Sequence, residues 1–334
     1  GRHFSCLETV GFLPRLLAII AQGRSATYRP KVTKQVMTSG TDRHKYVCLS
    51  FSHAPQFLII TEAGRNVMLD LHQLHQSALY LHIAVGSCAL ILFWVPVFTR
   101  KGNLDHKRFG KYFAVAMYIV SFSGITMASL DLLFPIAMHA AELDLSAQAV
   151  IDASVQVRSS AIFLLSLSIL VLTSTRHGWL VMLNKEDRSI LRRPTHVALC
   201  SSLVAVGLTL FITGLNVGSM LFIIFGMLQI VAGLNNLRYI FRSEIRPKEW
   251  WIQHLNGLIG SGIGAYTAFA VLGGRSLFEG IFGDSFSDMA IILWVAPGLI
   301  GGIAIAILSR HYQKKFGGQW MIKRASLRSA LFNS

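Results

Sequence analysis

Apolar residues along this chain come in long runs separated by short polar, charged connections. A membrane-crossing helix needs roughly 20 mostly apolar residues. Seven stretches approach that length: about 77–98, 112–134, 159–174, 196–215, 217–237, 254–272 and 289–308. Each is rich in Leu, Ile, Val, Phe, Ala and Gly without the period-two alternation of a membrane β-barrel strand. The pattern predicts an all-α polytopic membrane bundle of about seven helices, residues 68–309.

Charge in the connections predicts an orientation. The first holds Arg100, Lys101, Lys107, Arg108 and Lys111 against Asp105, whereas the second holds Glu142, Asp144 and Asp152 against Arg158. The third is basic again, with Arg176, Lys185, Arg188, Arg192 and Arg193 against Glu186 and Asp187. The fourth is too short to carry charge. The fifth has Arg238, Arg242, Arg246 and Lys248 against Glu244 and Glu249, and the sixth has Glu279, Asp284 and Asp288 against Arg275. The tail, 310–334, carries Arg310, Lys314, Lys315, Lys323, Arg324 and Arg328 and no acid. Under the positive-inside rule the start of the first helix lies outside and the C-terminus in the cytoplasm. Trp179, Trp250, Trp251 and Trp320 fall in or beside the basic segments, where interfacial anchors belong. The basic loops and tail also attract anionic lipid.

Residues 1–67 break the pattern. Nine bases face only Glu8, Asp42 and Glu62, an excess that the orientation would place outside. The apolar stretch 11–20 is interrupted by Pro14 and Arg15, and no convincing signal-peptide cleavage site follows it. The first residue is Gly, so the native product is expected to begin at Met37 or, better, Met68. The alternative is a genuine N-terminal arm.

Composition agrees with the membrane reading. Of 334 residues 53% are hydrophobic and 14% charged, and the mean hydropathy is +0.52. A soluble domain carries about 25% charged residues, so a soluble enzyme and a disordered chain are excluded. A net charge of +15 would otherwise point to nucleic acid, but here it sits between apolar runs. Cys6, Cys48, Cys88 and Cys200 are too dispersed for a disulfide framework or zinc knuckle. Small-residue pairs four apart, Gly214 with Gly218, Gly260 with Gly264 and Gly298 with Gly302, predict close helix crossings. Pro96 and Pro297 are expected to kink or end their helices.

Ionisable groups at membrane depth are costly and therefore informative. His75 and His82 are two helical turns apart on one face of the first helix. Asp131 and His139 lie at the same outer end, so His75, His82, Asp131 and His139 form a candidate metal cluster. On the basic side His106 stands in the first connection, while His196 and His254 each open an apolar run. Equal depth for His196 and His254 is what two axial ligands of one b-type haem require, with His82 and His106 as candidates for a second site or supporting shell. No His-Glu-x-x-His motif, serine elbow or Walker loop is present.

His82 and Gly86 in a first apolar helix, a basic loop with His106 and Gly110, and Tyr112 at the start of the next helix carry a resemblance. So does the segment 250–269, with His254 ahead of Gly257, Ser261, Ala265 and Ala268. Over most of 68–309 the chain resembles the domain-of-unknown-function 2306 family of prokaryotic predicted membrane proteins. That resemblance implies a multi-pass protein of the bacterial inner membrane without an established activity. A helical bundle with scattered histidines also resembles the haem-bearing b561 cytochromes, although no pair of histidines falls within each of two helices.

The favoured expectation is a membrane redox protein holding haem b between His196 and His254. The alternatives are a small-molecule transporter or exporter, a non-catalytic membrane partner subunit, and a metal-dependent hydrolase using the outer cluster to activate water.

Overall fold

A computed structural model describes residues 46–48, 59–139, 146–273, 280 and 292–314. The expectations for 1–45 and for the tail beyond 314 lie outside the described residues. Two three-residue strands, β1 (Tyr46–Cys48) and β2 (Ile59–Thr61), pair antiparallel ahead of the bundle. All the longer elements are helices. They are α1 (Glu62–Phe98), α2 (Leu104–Leu133), the short α3 (Pro135–His139), α4 (Ala147–Asn184), α5 (Pro194–Val217), α6 (Met220–Phe241), α7 (Glu249–Ala268) and α8 (Ile292–Lys314).

Six of these, α1, α2, α4, α5, α6 and α8, are long and apolar enough to cross a membrane. Helix α7 falls short of that hydropathy because its first turns carry Trp250, Gln253, His254 and Asn256. Two expected boundaries move. Helix α1 begins at Glu62, ahead of Met68. Helix α4 has 38 residues where the apolar run covers only 159–174. At 1.5 Å per residue it is roughly 57 Å long, beyond a hydrocarbon core of about 30 Å. The apolar window records the part that seeks lipid, while the helix continues through polar turns at both ends.

Helix ends follow local chemistry. Asn103 and Ser146 cap α2 and α4 by accepting backbone N–H bonds, and Ser219 does so for α6. Gly218 takes the left-handed conformation (φ 70°) that ends α5 and allows the tight turn into α6. Pro96 does not break α1, which runs on to Phe98. Its carbonyl and that of Val97 are instead capped by Lys101 Nζ at 2.7 and 2.6 Å. Burial against this helix end pushes the Lys101 ammonium below the ordinary lysine range. The Arg188 guanidinium caps α6, donating to Tyr239 O at 2.8 Å and to the Arg242 and Ser243 carbonyls beyond.

Helix α4 is the hub, contacting α2, α5 and α7, while α1 pairs with α2 and α5 with α6. Three apolar clusters fill the contacts. Phe163, Leu210, Phe222, Phe225 and Trp294 join α4, α5, α6 and α8, with Phe163 and Trp294 edge to face at 4.9 Å. Ala89, Phe113, Met117 and Val171 join α1, α2 and α4. Val181, Leu191, Cys200, Tyr239 and Ile240 close the basic end.

Glycine makes the crossings, at positions that only partly match the expected pairs. A Cβ on Gly226 would lie 2.6 Å from Phe211 N, and one on Gly257 2.7 Å from both Gly178 Cα and Ser174 O. Gly260, Gly298 and Gly302 meet nothing within 4 Å, so the crossings use Gly257 and Gly301 instead. Spacing alone marks a face of the helix but not which turn of it the neighbour touches.

Many large apolar side chains face outward, while polar groups are buried among the apolar clusters. Ile91 is 73% exposed and Ile300 68%, whereas His75, Asp131, His177, His196 and Gln229 are buried. This apolar helical bundle is compatible with an integral membrane protein, whose helices turn apolar faces to lipid.

A methyl group at Gly226 has only backbone to displace. Gly226→Ala is expected to lower stability by about 1–3 kcal/mol, whereas Gly260→Ala, facing open space, leaves it unchanged. Thermal unfolding of the two variants in detergent checks this.

Candidate functional site

Two groups of ligating side chains converge in the bundle, near opposite ends of its helices. The first joins α1, α2 and α3. Pro135 starts a new helix just after α2 ends, and this turn brings His139 back over Asp131. His139 Nε2 lies 2.7 Å from Asp131 Oδ1, and His75 Nε2 from α1 lies 3.1 Å from the same oxygen. The two imidazoles are edge to face with centroids 5.4 Å apart. His75 is 5% exposed; its Nε2 pairs with the Asp131 carboxylate, while its Nδ1 is buried without a hydrogen-bond partner.

The structure thus brings together three of the four residues expected at this end, His75, Asp131 and His139, and leaves His82 out. Seven residues of helix place His82 about 10 Å deeper than His75, too far to share an ion. His82 Nδ1–H instead donates to Ser123 Oγ at 2.9 Å, and that hydroxyl donates to the Ile119 carbonyl. His82 ties α1 to α2 where Gly124 and Ser168 bring α2 against α4.

The second group joins α4 and α5. His177 Nδ1 lies 3.2 Å from His196 Nε2, and Cys200 Sγ lies 3.7 Å from the same His196 nitrogen. All three residues are at most 1% exposed. His196 and Cys200 are one turn apart on α5, so both reach α4. Sequence reasoning missed His177 and Cys200 as site residues. The i, i+4 spacing of His196 and Cys200 was a usable signal, but His177 lies three residues past the apolar run of α4.

His196 and His254 do not face each other. His196 meets His177, while His254 Nδ1–H donates to Gly178 O at 2.9 Å. Adjacent residues of α4 therefore supply the partner of each, so each expected axial ligand is engaged by α4 rather than by the other histidine. His106 is likewise engaged locally. Its Nδ1 lies 3.0 Å from Pro96 O, closing the end of α1 beside Lys101. A sequence places two histidines at one depth without saying which neighbour each one meets.

A polar cavity of about 460 Å³ opens beside the second group. His177, Asn236, Tyr239, Arg242, Glu249 and Gln253 are among its lining residues. Arg242 and Glu249 form an ion pair on its wall. No protein-family model, curated protein or solved structure matches the chain.

Haem supplied to the purified chain is expected to give no low-spin bis-histidine Soret spectrum that His196→Ala and His254→Ala remove together. Absorbance spectroscopy of the wild type and both variants checks this.

Proposed function

We propose that the chain is a seven-span integral membrane protein that binds a divalent transition-metal ion at His75, Asp131 and His139. The observation that carries this is the convergence of two imidazole Nε2 atoms on one carboxylate oxygen in a buried setting. A tetrahedral zinc ion with bonds of about 2.0–2.1 Å separates its ligand atoms by roughly 3.3 Å. The distances of 2.7 and 3.1 Å would open by about 0.6 and 0.2 Å to admit the ion. Two histidines and one carboxylate are the open set of catalytic zinc and facial-triad iron sites, which leave a coordination position for water or another donor.

In this reading α7 is the seventh span. Its polar first turns sit against α4 through the His254–Gly178 bond, and Trp94 Nε1–H and Tyr266 OH link it to α1. The alternation of basic and acidic connections supports an orientation with the metal site outside and the cavity on the cytoplasmic side. The reading includes kinship with the domain-of-unknown-function 2306 family. His82, His106 and His254, which carry that resemblance, each fix a helix end or crossing.

Metal analysis of the purified full-length chain tests the proposal. One equivalent of zinc or iron is expected in the wild type and in His82→Ala, and loss of it in Asp131→Asn and His139→Ala. Ligation needs unprotonated imidazoles, so bound metal is released as pH falls and regained as it rises. Absence of stoichiometric metal after zinc loading, or equal metal in Asp131→Asn, contradicts the reading.

A further inference from the structure

His177, His196 and Cys200 bring three potential ligand atoms within 4.8 Å of one another in the buried interior. His196 Nε2 has one in-plane position, either a lone pair or an N–H. Two neighbours compete for it, His177 Nδ1 at 3.2 Å and Cys200 Sγ at 3.7 Å. Whichever tautomers are drawn, one of the two contacts goes without a hydrogen bond. Of the outer nitrogens, that of His177 faces the Gln253 side chain, and His196 Nδ1 is buried without a hydrogen-bond partner. An unpaired polar atom is costly in a protein interior.

An ion among the three donors resolves the conflict. Each inner nitrogen then presents its lone pair to the ion, and each outer nitrogen carries the proton. Bonds of about 2.0–2.1 Å to nitrogen and 2.3 Å to sulfur put the donors roughly 3.3–3.7 Å apart. The observed separations are 3.2 and 3.7 Å.

Charge and hardness select the ion. Thiolate sulfur favours soft metals such as Cu(I) and Zn(II). The site is buried, and the guanidinium of Arg176 acts on both His196 and Cys200. One thiolate, two neutral imidazoles and a monovalent ion sum to zero charge, whereas a divalent ion leaves an uncompensated positive charge beside Arg176. Net charge in a buried site is strongly penalised. The polar cavity that His177 lines provides an entry route, and the Asn236 side chain reaches Cys200 from that cavity's wall.

We infer that His177, His196 and Cys200 form a second metal site, which takes a soft monovalent cation of the Cu(I) type and is loaded from the cavity at the basic end of the bundle. It uses residues distinct from His75, Asp131 and His139 and does not depend on metal binding there.

The test uses the full-length chain with Cys6, Cys48 and Cys88 replaced by serine, so that Cys200 is the sole thiol, plus Asp131→Asn to remove the outer site. Purified anaerobically in detergent, it is titrated with Cu(I) held by a chromogenic chelator. It is expected to withdraw one Cu(I) per chain, with affinity falling more than roughly tenfold in Cys200→Ser and in His177→Gln. X-ray absorption of the loaded parent should show one sulfur and two nitrogen neighbours, which keeps the test decisive if either variant fails to fold. No withdrawal of Cu(I) by the folded parent, a nitrogen-and-oxygen shell without sulfur, or unchanged affinity in folded Cys200→Ser overturns the proposal.

Discussion

A helix that crosses lipid has no water to satisfy its polar groups, and most of this structure follows from that constraint. Apolar side chains gain nothing by hiding from a hydrocarbon solvent, so Ile91 and Ile300 stay on the surface. Polar side chains gain by finding one another. Gln229 of α6 donates to Ser166 of α4 at 3.0 Å, and His82 of α1 to Ser123 of α2 at 2.9 Å. Close approach comes from glycine, where backbone meets backbone at Gly178–Gly257 and Gly226–Phe211. Helix α4 packs against α2, α5 and α7 and offers them Ser166, Ser168, Thr173, Ser174, His177 and Gly178.

The two candidate ligating clusters are the places where several metal-binding side chains meet in the buried interior. At one end a carboxylate oxygen faces two imidazoles, a set suited to borderline and harder divalent ions. At the other a thiol and two imidazoles crowd one nitrogen, a softer set. Sequence neighbours that look equivalent have been put to different uses. His177 ligates in our reading, while its neighbour Gly178 accepts the hydrogen bond that anchors α7.

Much of the architecture was legible in the sequence because it depends on local composition. Apolar runs located the helices, and Gly218 and Ser219 marked the α5–α6 turn. The outer cluster was legible in part, because Asp131 and His139 are near in sequence and His75 lies at the matching end of α1. What failed to show was long-range pairing. Nothing local says that Gly257 meets α4 while Gly260 faces open space, or that His196 pairs with His177 and His254 with Gly178. His177 was hidden for a related reason, since the apolar run of α4 stops before the helix does. His82 was assigned to the outer cluster because two turns preserve a helix face, yet the same two turns move it about 10 Å along the axis.

Collision accessibility of spin labels tests the solvent assignment most directly. In a background with the native cysteines replaced, labels at Ile91 and Ile300 in reconstituted liposomes should collide often with oxygen, which partitions into lipid. They should collide rarely with a water-soluble nickel chelate. Frequent collision with the nickel chelate at both positions would place these faces in water and contradict the account.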